Sequence, residues 1–245
     1  MRGPLTRLTA ALGFVVLAGG VLAACATTPG TTGTPEPSET AMPEVLELDA
    51  AWLDGGRMVG LITQGSSTCV PTAEVEGYAD GVLRVTFVED TEGPCTADFA
   101  PRVSLAPVPD DVDASENLVI EVNGEGYGGE VTLPGVDGLV FESPSEQMPS
   151  AGWSTGAGTF VVLLWGSSGC PETITATEVT GDAAVTASLS GIPADKACTA
   201  DVVPNPVIAG VEGLEGVADV ELTLVSPTGQ SYVTPILGVD GASAD

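Results

Sequence analysis

The stretch Leu83-Arg84-Val85-Thr86-Phe87 alternates apolar and polar side chains with a period of two residues. The same alternation returns in the second half of the chain, at Val185-Thr186-Ala187-Ser188-Leu189. Successive side chains of a β-strand point to opposite faces, so this period indicates strands with one buried face. After residue 25 no segment has the apolar spacing of a helix, and Gly, Pro and Asp residues punctuate the alternating stretches. The sequence therefore predicts an all-β fold.

A tandem duplication organises these strands. Gly65-Ser66-Ser67-Thr68-Cys69 recurs as Gly166-Ser167-Ser168-Gly169-Cys170, and Cys95-Thr96-Ala97-Asp98 recurs unchanged as Cys198-Thr199-Ala200-Asp201. The repeated unit of about 95 residues has the size of a small domain. We expect two tandem antiparallel β-sandwich domains, loosely immunoglobulin-like. The layout resembles that of actinobacterial exported two-repeat proteins of unknown function, a resemblance that implies no activity.

The N-terminus has the features of an export signal. Two arginines lie within the first seven residues, residues 8–24 are apolar or small, and the stretch ends in Leu22-Ala23-Ala24-Cys25. This ending closely resembles the lipobox of bacterial lipoproteins. The resemblance implies diacylglyceryl transfer to the Cys25 thiol and cleavage before Cys25, so that acyl chains such as palmitate hold the exported protein at the outer face of the cell membrane. An ordinary secretory signal, or an uncleaved membrane anchor, is the alternative.

The Thr- and Pro-rich stretch after Cys25 has almost nothing to bury, which predicts a disordered tether between the membrane and the folded part. The expected organisation is a lipoprotein signal peptide (1–24), the tether (25–45), β-sandwich repeat 1 (46–139), a linker (140–147), β-sandwich repeat 2 (148–241) and a tail (242–245).

The other four cysteines fall two in each copy. An exported protein meets oxidising conditions, so we expect the disulfides Cys69–Cys95 and Cys170–Cys198. The alternative, a redox-active or metal-binding thiol pair, lacks a CxxC motif and a histidine that would complete a zinc site.

Composition excludes several classes of function. The chain has no histidine, so a Ser-His-Asp centre and an imidazole metal site are excluded. It has 34 Asp and Glu residues against 6 Lys and Arg residues, a balance that predicts no nucleic-acid binding. The acidic surface either keeps an exported protein soluble, which we favour, or attracts cations and basic partners.

Three groups of residues are candidate sites, each with a structural alternative. The acidic run Asp110, Asp111, Asp113 and Glu116 offers oxygen ligands for calcium but lacks the spacing of an EF-hand loop, so a solvated loop is favoured. Asp98 and Asp201 have the residue type for acid/base chemistry, although capping of a turn is the better interpretation. The repeated Gly-Ser-Ser motif is interpreted as turn chemistry rather than as a nucleophile or an anion nest.

The strand Phe160-Val161-Val162-Leu163-Leu164-Trp165 is apolar on both faces, so both faces must be covered. Packing against the first repeat is the favoured explanation. The alternative is a partner-binding face made by Phe160, Val162, Leu164 and Trp165, since tryptophan often anchors interfaces.

Together these features predict a non-enzymatic lipoprotein that needs no cofactor and acts as an interaction or spacer module, with an envelope protein as its candidate partner. The runner-up is a lipoprotein that captures a small or cationic solute between its two domains. An enzyme ranks third.

Overall fold

A computed structural model describes residues 47–89, 93–124, 126–139 and 147–241 of the chain. The predicted signal peptide, the tether, Cys25, nearly all of the predicted linker and the tail lie outside these residues. All described residues belong to a single compact unit.

The described part of the chain is all-β, as the period of two predicted, and its one helical segment is a 3-10 turn at Asp54–Gly56. Within this part, no helix has the length and hydropathy that a membrane crossing requires. The strands are β1 (Asp49–Leu53), β2 (Met58–Gly65), β3 (Thr72–Ala79), β4 (Val82–Val88), β5 (Ala100–Pro107), β6 (Leu118–Gly124), β7 (Tyr127–Leu133), β8 (Ser150–Trp153), β9 (Thr159–Gly166), β10 (Ile174–Gly181), β11 (Ala184–Leu189), β12 (Val203–Gly210), β13 (Glu221–Val225) and β14 (Ser231–Leu237).

The two repeats have matching strand orders. The first repeat contains a three-stranded sheet, β1-β2-β5, and a four-stranded sheet, β3-β4-β6-β7. The second repeat contains the equivalent groups β8-β9-β12 and β10-β11-β13-β14, which a short β14–β8 pairing joins into one seven-stranded sheet. The duplication in sequence is therefore a duplication of strand order.

Two of the three sheets are mixed rather than purely antiparallel, which corrects one part of the expectation, whereas β1-β2-β5 is antiparallel throughout. β4 pairs with β6 in parallel, and β11 pairs with β13 in parallel. The intervening strands β5 and β12 belong to the other sheet group of their repeat, so the chain leaves one sheet and returns to it. A strand that returns in this way can pair in either direction, and its own alternation pattern does not specify which.

Three hydrophobic cores lie between four successive layers of strands. The first core lies between the two sheets of the first repeat and includes Trp52, Leu61, Leu83 and Ile120. The second lies within the second repeat, and the third lies between β1-β2-β5 and β8-β9-β12. Buried apolar side chains on both faces of the two inner layers make this stacking continuous.

The third core joins the repeats to each other. Leu53, Ile62 and Val103 of the first repeat pack there against Val161 and Leu163 of the second. All five side chains are less than one-tenth exposed. Hydrophobic burial therefore stabilises the contact between repeats as well as each repeat.

Polar contacts fix the alignment of the repeats at one edge of this core. The Thr155 backbone N–H donates to the Ala50 carbonyl at 3.0 Å, and the Thr155 hydroxyl donates to the Asp49 carboxylate at 2.8 Å. The Asp54 backbone N–H donates to the Ser150 hydroxyl at 2.9 Å. Gly152 is required here, because a Cβ atom at this position would overlap the Trp52 carbonyl oxygen.

Candidate interaction site

Both cysteine pairs that the sequence matched are joined in the structure. The Cα atoms of Cys69 and Cys95 lie 5.5 Å apart, and those of Cys170 and Cys198 lie 5.4 Å apart. In each repeat one cysteine follows the second strand of the three-stranded group, and the other lies in the long connection to its edge strand. We call these connections, residues 66–71 with 93–99 and residues 167–173 with 190–202, the first and second disulfide loops.

A hydrogen-bond network closes the first disulfide loop. The Ser67 backbone N–H donates to the Asp98 carboxylate at 3.2 Å, and the Thr96 hydroxyl also donates to that carboxylate. The Thr96 backbone N–H donates to the Thr68 hydroxyl at 3.0 Å. Hydrogen bonds from Ser67 and Thr96 lower the pKa of Asp98 to about 2, because they stabilise its charged form.

The second disulfide loop repeats this network. The Ser168 backbone N–H donates to the Asp201 carboxylate at 3.2 Å, and the Gly169 backbone N–H donates to the Thr199 hydroxyl at 3.0 Å. Hydrogen bonds from Ser168 and Thr199 lower the pKa of Asp201 to about 2. Each carboxylate thus caps the backbone of its own loop, which is the structural alternative to acid/base chemistry. Because of its low pKa, each carboxylate also keeps a negative charge on its loop well below neutral pH.

A buried arginine supports the first disulfide loop from below. The Arg102 Nη1 atom donates to the carbonyl oxygens of Ser66 and Cys69, both in the loop. Its Nε atom donates to the Thr63 hydroxyl at 3.3 Å, and its Nη2 atom donates to the Tyr127 hydroxyl at 2.8 Å. Arg102 is 9% exposed, so these bonds hold a nearly buried charge.

The arginine network continues to the surface and depends on a glycine. The Tyr127 hydroxyl donates to the Glu89 carboxylate at 2.7 Å, and the pKa of Tyr127 is raised, mainly by burial and then by this bond. A Cβ atom at Gly65 would lie 2.5 Å from the Arg102 guanidinium carbon. Sequence reasoning missed this network. The sequence signal that could have revealed it is the alignment of the repeats. Arg102 and Asn205 both follow a matched proline, Pro101 or Pro204, so the arginine is a charge that only the first repeat carries at this position.

A groove of about 570 Å³ lies between the two disulfide loops and opens to solvent. Both repeats line it, which places the two loops at the same end of the molecule. Its apolar lining comes from Val70, Pro101, Val103, Pro171, Pro206, Val207 and Ile208. Its polar lining comes from Ser67, Arg102, Glu172, Thr173 and Asn205. The volume lies in the range of ligand-binding clefts.

Each disulfide loop also presents an exposed apolar side chain. Phe99 directly follows Asp98 and is 80% exposed, and Val202 directly follows Asp201 and is 56% exposed. Phe99 lies two positions before Pro101 of β5, and Val202 lies two positions before Pro204 of β12. Phe99 directly precedes β5 and Val202 directly precedes β12, and both strands contribute residues to the groove lining, so the two side chains are candidate contact residues.

The strand Phe160-Val161-Val162-Leu163-Leu164-Trp165 is covered on both faces by the protein itself. Phe160, Val162 and Leu164 are buried in the core of the second repeat, whereas Val161 and Leu163 lie in the core between repeats. The half-buried Trp165 packs against that same core. The structure thus supports packing against the first repeat. The four residues Phe160, Val162, Leu164 and Trp165 do not form a free partner face, because the first three are buried in a core and Trp165 packs half-buried against another.

The acidic run at residues 110–116 does not assemble a metal site in the structure. Asp113 accepts hydrogen bonds from the Ser115 hydroxyl at 2.6 Å and the Ser115 backbone N–H at 2.9 Å, and these bonds lower its pKa. Asp110, Asp111 and Glu116 are exposed, and no group of three or more potential metal-binding side chains converges among the described residues. The run therefore fits the solvated loop, and the calcium candidate, which includes Asp113, gains no support.

Comparisons of the chain with protein-family models, with curated proteins and with solved structures found no match. The disulfide loops and the groove between them are therefore the features of the molecule that bear on its function.

Proposed function

We propose that the protein is an exported, lipid-anchored cell-surface protein that acts as a non-enzymatic interaction module. Its contact surface is the end that carries the disulfide loops and the groove. The single observation that carries the proposal is the duplicated presentation of an exposed apolar side chain, Phe99 and Val202, on two disulfide-closed loops, each directly before a strand that lines the groove. Apolar anchors held on a preorganised frame are typical of protein interfaces.

The lipobox-like ending at Cys25 supports membrane attachment, and the two disulfides fit the oxidising compartment that export implies. We further infer that each repeat is a small β-sandwich, loosely immunoglobulin-like, since two strand layers enclose its core. In this arrangement the tether projects the sandwiches from the membrane toward a partner in the envelope.

The capture of a small or cationic solute between the repeats is the second candidate. The groove supports it, because its volume of about 570 Å³ lies at the junction of the repeats and Glu172 contributes to its lining.

The test is site-specific photo-cross-linking in intact cells, with a photoreactive phenylalanine analogue placed at position 99 of the full-length protein. The matched control carries the analogue at position 233, because Val233 is 49% exposed on β14, in the outer strand layer of the second repeat. We expect a discrete cross-linked protein from position 99 and none from position 233. The absence of any protein adduct at position 99 would overturn the interaction module and leave solute capture as the proposal.

A Cys25→Ser variant tests the membrane anchor in the same cells. We expect the wild-type protein to incorporate an acyl label and to stay with the membrane fraction, and the variant to lose both properties. Retention of the acyl label by the variant would contradict lipidation at Cys25.

A further inference from the structure

We propose that the second repeat binds a small organic cation with an aromatic ring in an open groove along its side. The groove has a volume of about 740 Å³ and lies where the edge strands β10 and β12 approach each other, with Thr177, Val179 and Gly210 in its lining. We call it the side groove. It shares no lining residue with the groove between the disulfide loops, so this inference goes beyond the proposed function and does not depend on it.

The first repeat has bulkier side chains at positions that match the lining of the side groove. The order of residues in the two repeats and the strand register match Gly158 with Arg57, Gly210 with Pro107 and Val179 with Tyr78. Tyr78 is half-buried and packs against the core of the first repeat, whereas Val179 is 39% exposed. The side groove therefore corresponds to a place where the first repeat holds an aromatic side chain of its own.

The lining offers an aromatic ring an accessible apolar surface. Val211 lies half-buried against the core of the second repeat, and Val179 presents an exposed apolar side chain. Gly158 and Gly210 have no side chain, so a flat group can contact their backbone. An aromatic ring buries more area against such a surface than a short aliphatic chain does.

The charge of the side groove selects a cation. Glu212 and Glu215 line it, and its lining contains no basic residue. The first repeat has Pro109 at the position that matches Glu212, so it lacks this carboxylate. Among the described residues no three potential metal ligands converge, which favours an organic cation over a metal ion.

A buried carboxylate holds the wall of the side groove in place. Asp240 is 1% exposed, and its Oδ1 atom accepts a hydrogen bond from the Gly158 backbone N–H at 2.6 Å. Its Oδ2 atom is buried and has no hydrogen-bond partner among the described residues, so the carboxylate adds to the attraction for a cation. Gly158 has a φ of +71°, which disfavours a side chain, and its carbonyl accepts the Val211 N–H at 2.9 Å. The wall is therefore preformed, as in most ligand sites.

The probe is phenethylamine, a primary amine with an aromatic ring, titrated into isotope-labelled full-length protein in a non-ionic detergent. Phenylpropionate, which carries a carboxylate instead of the amine, and butylamine, which has no ring, are the comparison ligands. We expect phenethylamine to shift the backbone amide NMR signals of Gly158 and Val211. We also expect it to bind at least about tenfold more tightly than either comparison ligand.

A matched pair of substitutions locates the ring. Val179→Tyr gives the second repeat the side chain that the first repeat has at Tyr78, and we expect it to weaken phenethylamine binding by at least about tenfold. Val233→Tyr makes the same change at an exposed position on β14 of the same sheet. It is expected to leave binding within about twofold.

A second set of substitutions locates the amine. The double variant Glu212→Gln, Glu215→Gln keeps the side-chain size, removes both charges and is expected to weaken phenethylamine binding by about tenfold. Glu178→Gln removes an exposed carboxylate of β10 that does not line the side groove, and is expected to leave binding within about twofold.

Equal binding of phenylpropionate would overturn the choice of a cation, and equal binding of butylamine would overturn the aromatic ring. Unchanged binding in both Val179→Tyr and the double glutamine variant, or no shift at Gly158 and Val211, would overturn the side groove as the site. These failures are distinguishable from failure of the proposed function, because cross-linking at position 99 reports on a protein partner at the disulfide loops.

Discussion

At the scale of single residues, the carboxylates Asp98 and Asp201 show that the two repeats share hydrogen bonds and pKa shifts as well as sequence. Each accepts a hydrogen bond from the backbone N–H of a serine, Ser67 or Ser168, that lies two positions before a disulfide cysteine. Each also accepts a hydrogen bond from the hydroxyl of the threonine two positions before it, Thr96 or Thr199. Each pKa is lowered to about 2 from an ordinary value of 3.8. The folded loops therefore favour the charged form of each aspartate, and the charged aspartate in turn stabilises its folded loop.

The two loops make a controlled test of these bonds. Thr96→Val is expected to raise the pKa of Asp98 from about 2 toward 3.8 and to leave the pKa of Asp201 at about 2. Thr199→Val is expected to do the reverse. Carboxyl NMR titration of the two variants measures both values, and a parallel shift of both aspartates would contradict the local origin of the effect.

The same shifts predict the direction of acid sensitivity. A carboxylate whose pKa is lower in the folded state contributes stability that is present above its unfolded value of 3.8. That contribution is lost as the pH falls through the folded value of about 2. The two carboxylates are therefore expected to contribute fully to the free energy of unfolding at pH 5, to lose that contribution between about pH 4 and pH 2, and to cause no change between pH 6 and 8.

At the scale of elements, β9 is the strand that connects the two repeats. Its alternate side chains enter different cores, with Phe160, Val162 and Leu164 on one side and Val161 and Leu163 on the other. The equivalent strand β2 also contributes to two cores, through Leu61 on one face and Ile62 on the other. These two strands therefore have no solvated face.

Leu163 is the residue at which this arrangement can be tested. It is 0% exposed in the core between repeats, so Leu163→Ala is expected to lower the free energy of unfolding by about 2–5 kcal/mol through lost burial and a residual cavity. Val233→Ala, at an exposed position on β14, is expected to cost less than about 0.5 kcal/mol. Denaturant unfolding measures both, and equal small losses would contradict a core between the repeats.

At the scale of the whole molecule, the shared core changes what a repeat can do alone. A repeat that unfolded by itself would expose the apolar face of its partner's inner layer to water. The cores and the polar contacts at Thr155 and Ser150 thus couple the two repeats across their boundary.

This coupling predicts one cooperative unfolding transition for the oxidised protein. Scanning calorimetry is expected to give a single peak whose calorimetric and van't Hoff enthalpies agree. Gly152→Val, which forces a side chain against the Trp52 backbone, is expected to separate the repeats and to split or broaden that peak. Two resolved peaks in the wild type would show that the repeats unfold independently.

The amino-acid sequence by itself determined the all-β class, the duplication and the pairing of the four cysteines. These are local or periodic properties. Side chains alternate along a strand, and the repeat puts two cysteines in each copy, which pairs each cysteine with the other one of its own copy. The sequence also indicated that the strand of residues 160–165 is buried on both faces, because no polar residue interrupts it before Gly166.

Only the tertiary structure decided what covers that strand, where the two disulfide loops meet, and which sheets contain parallel pairs. The first two depend on contacts between residues about a hundred positions apart, and the parallel pairs join residues 37 positions apart. The alternation within a strand carries no information about either. The same holds for Arg102, whose partners come from three separate segments. The groove between the disulfide loops exists because these two similar segments, distant in sequence, are held side by side by the core between the repeats.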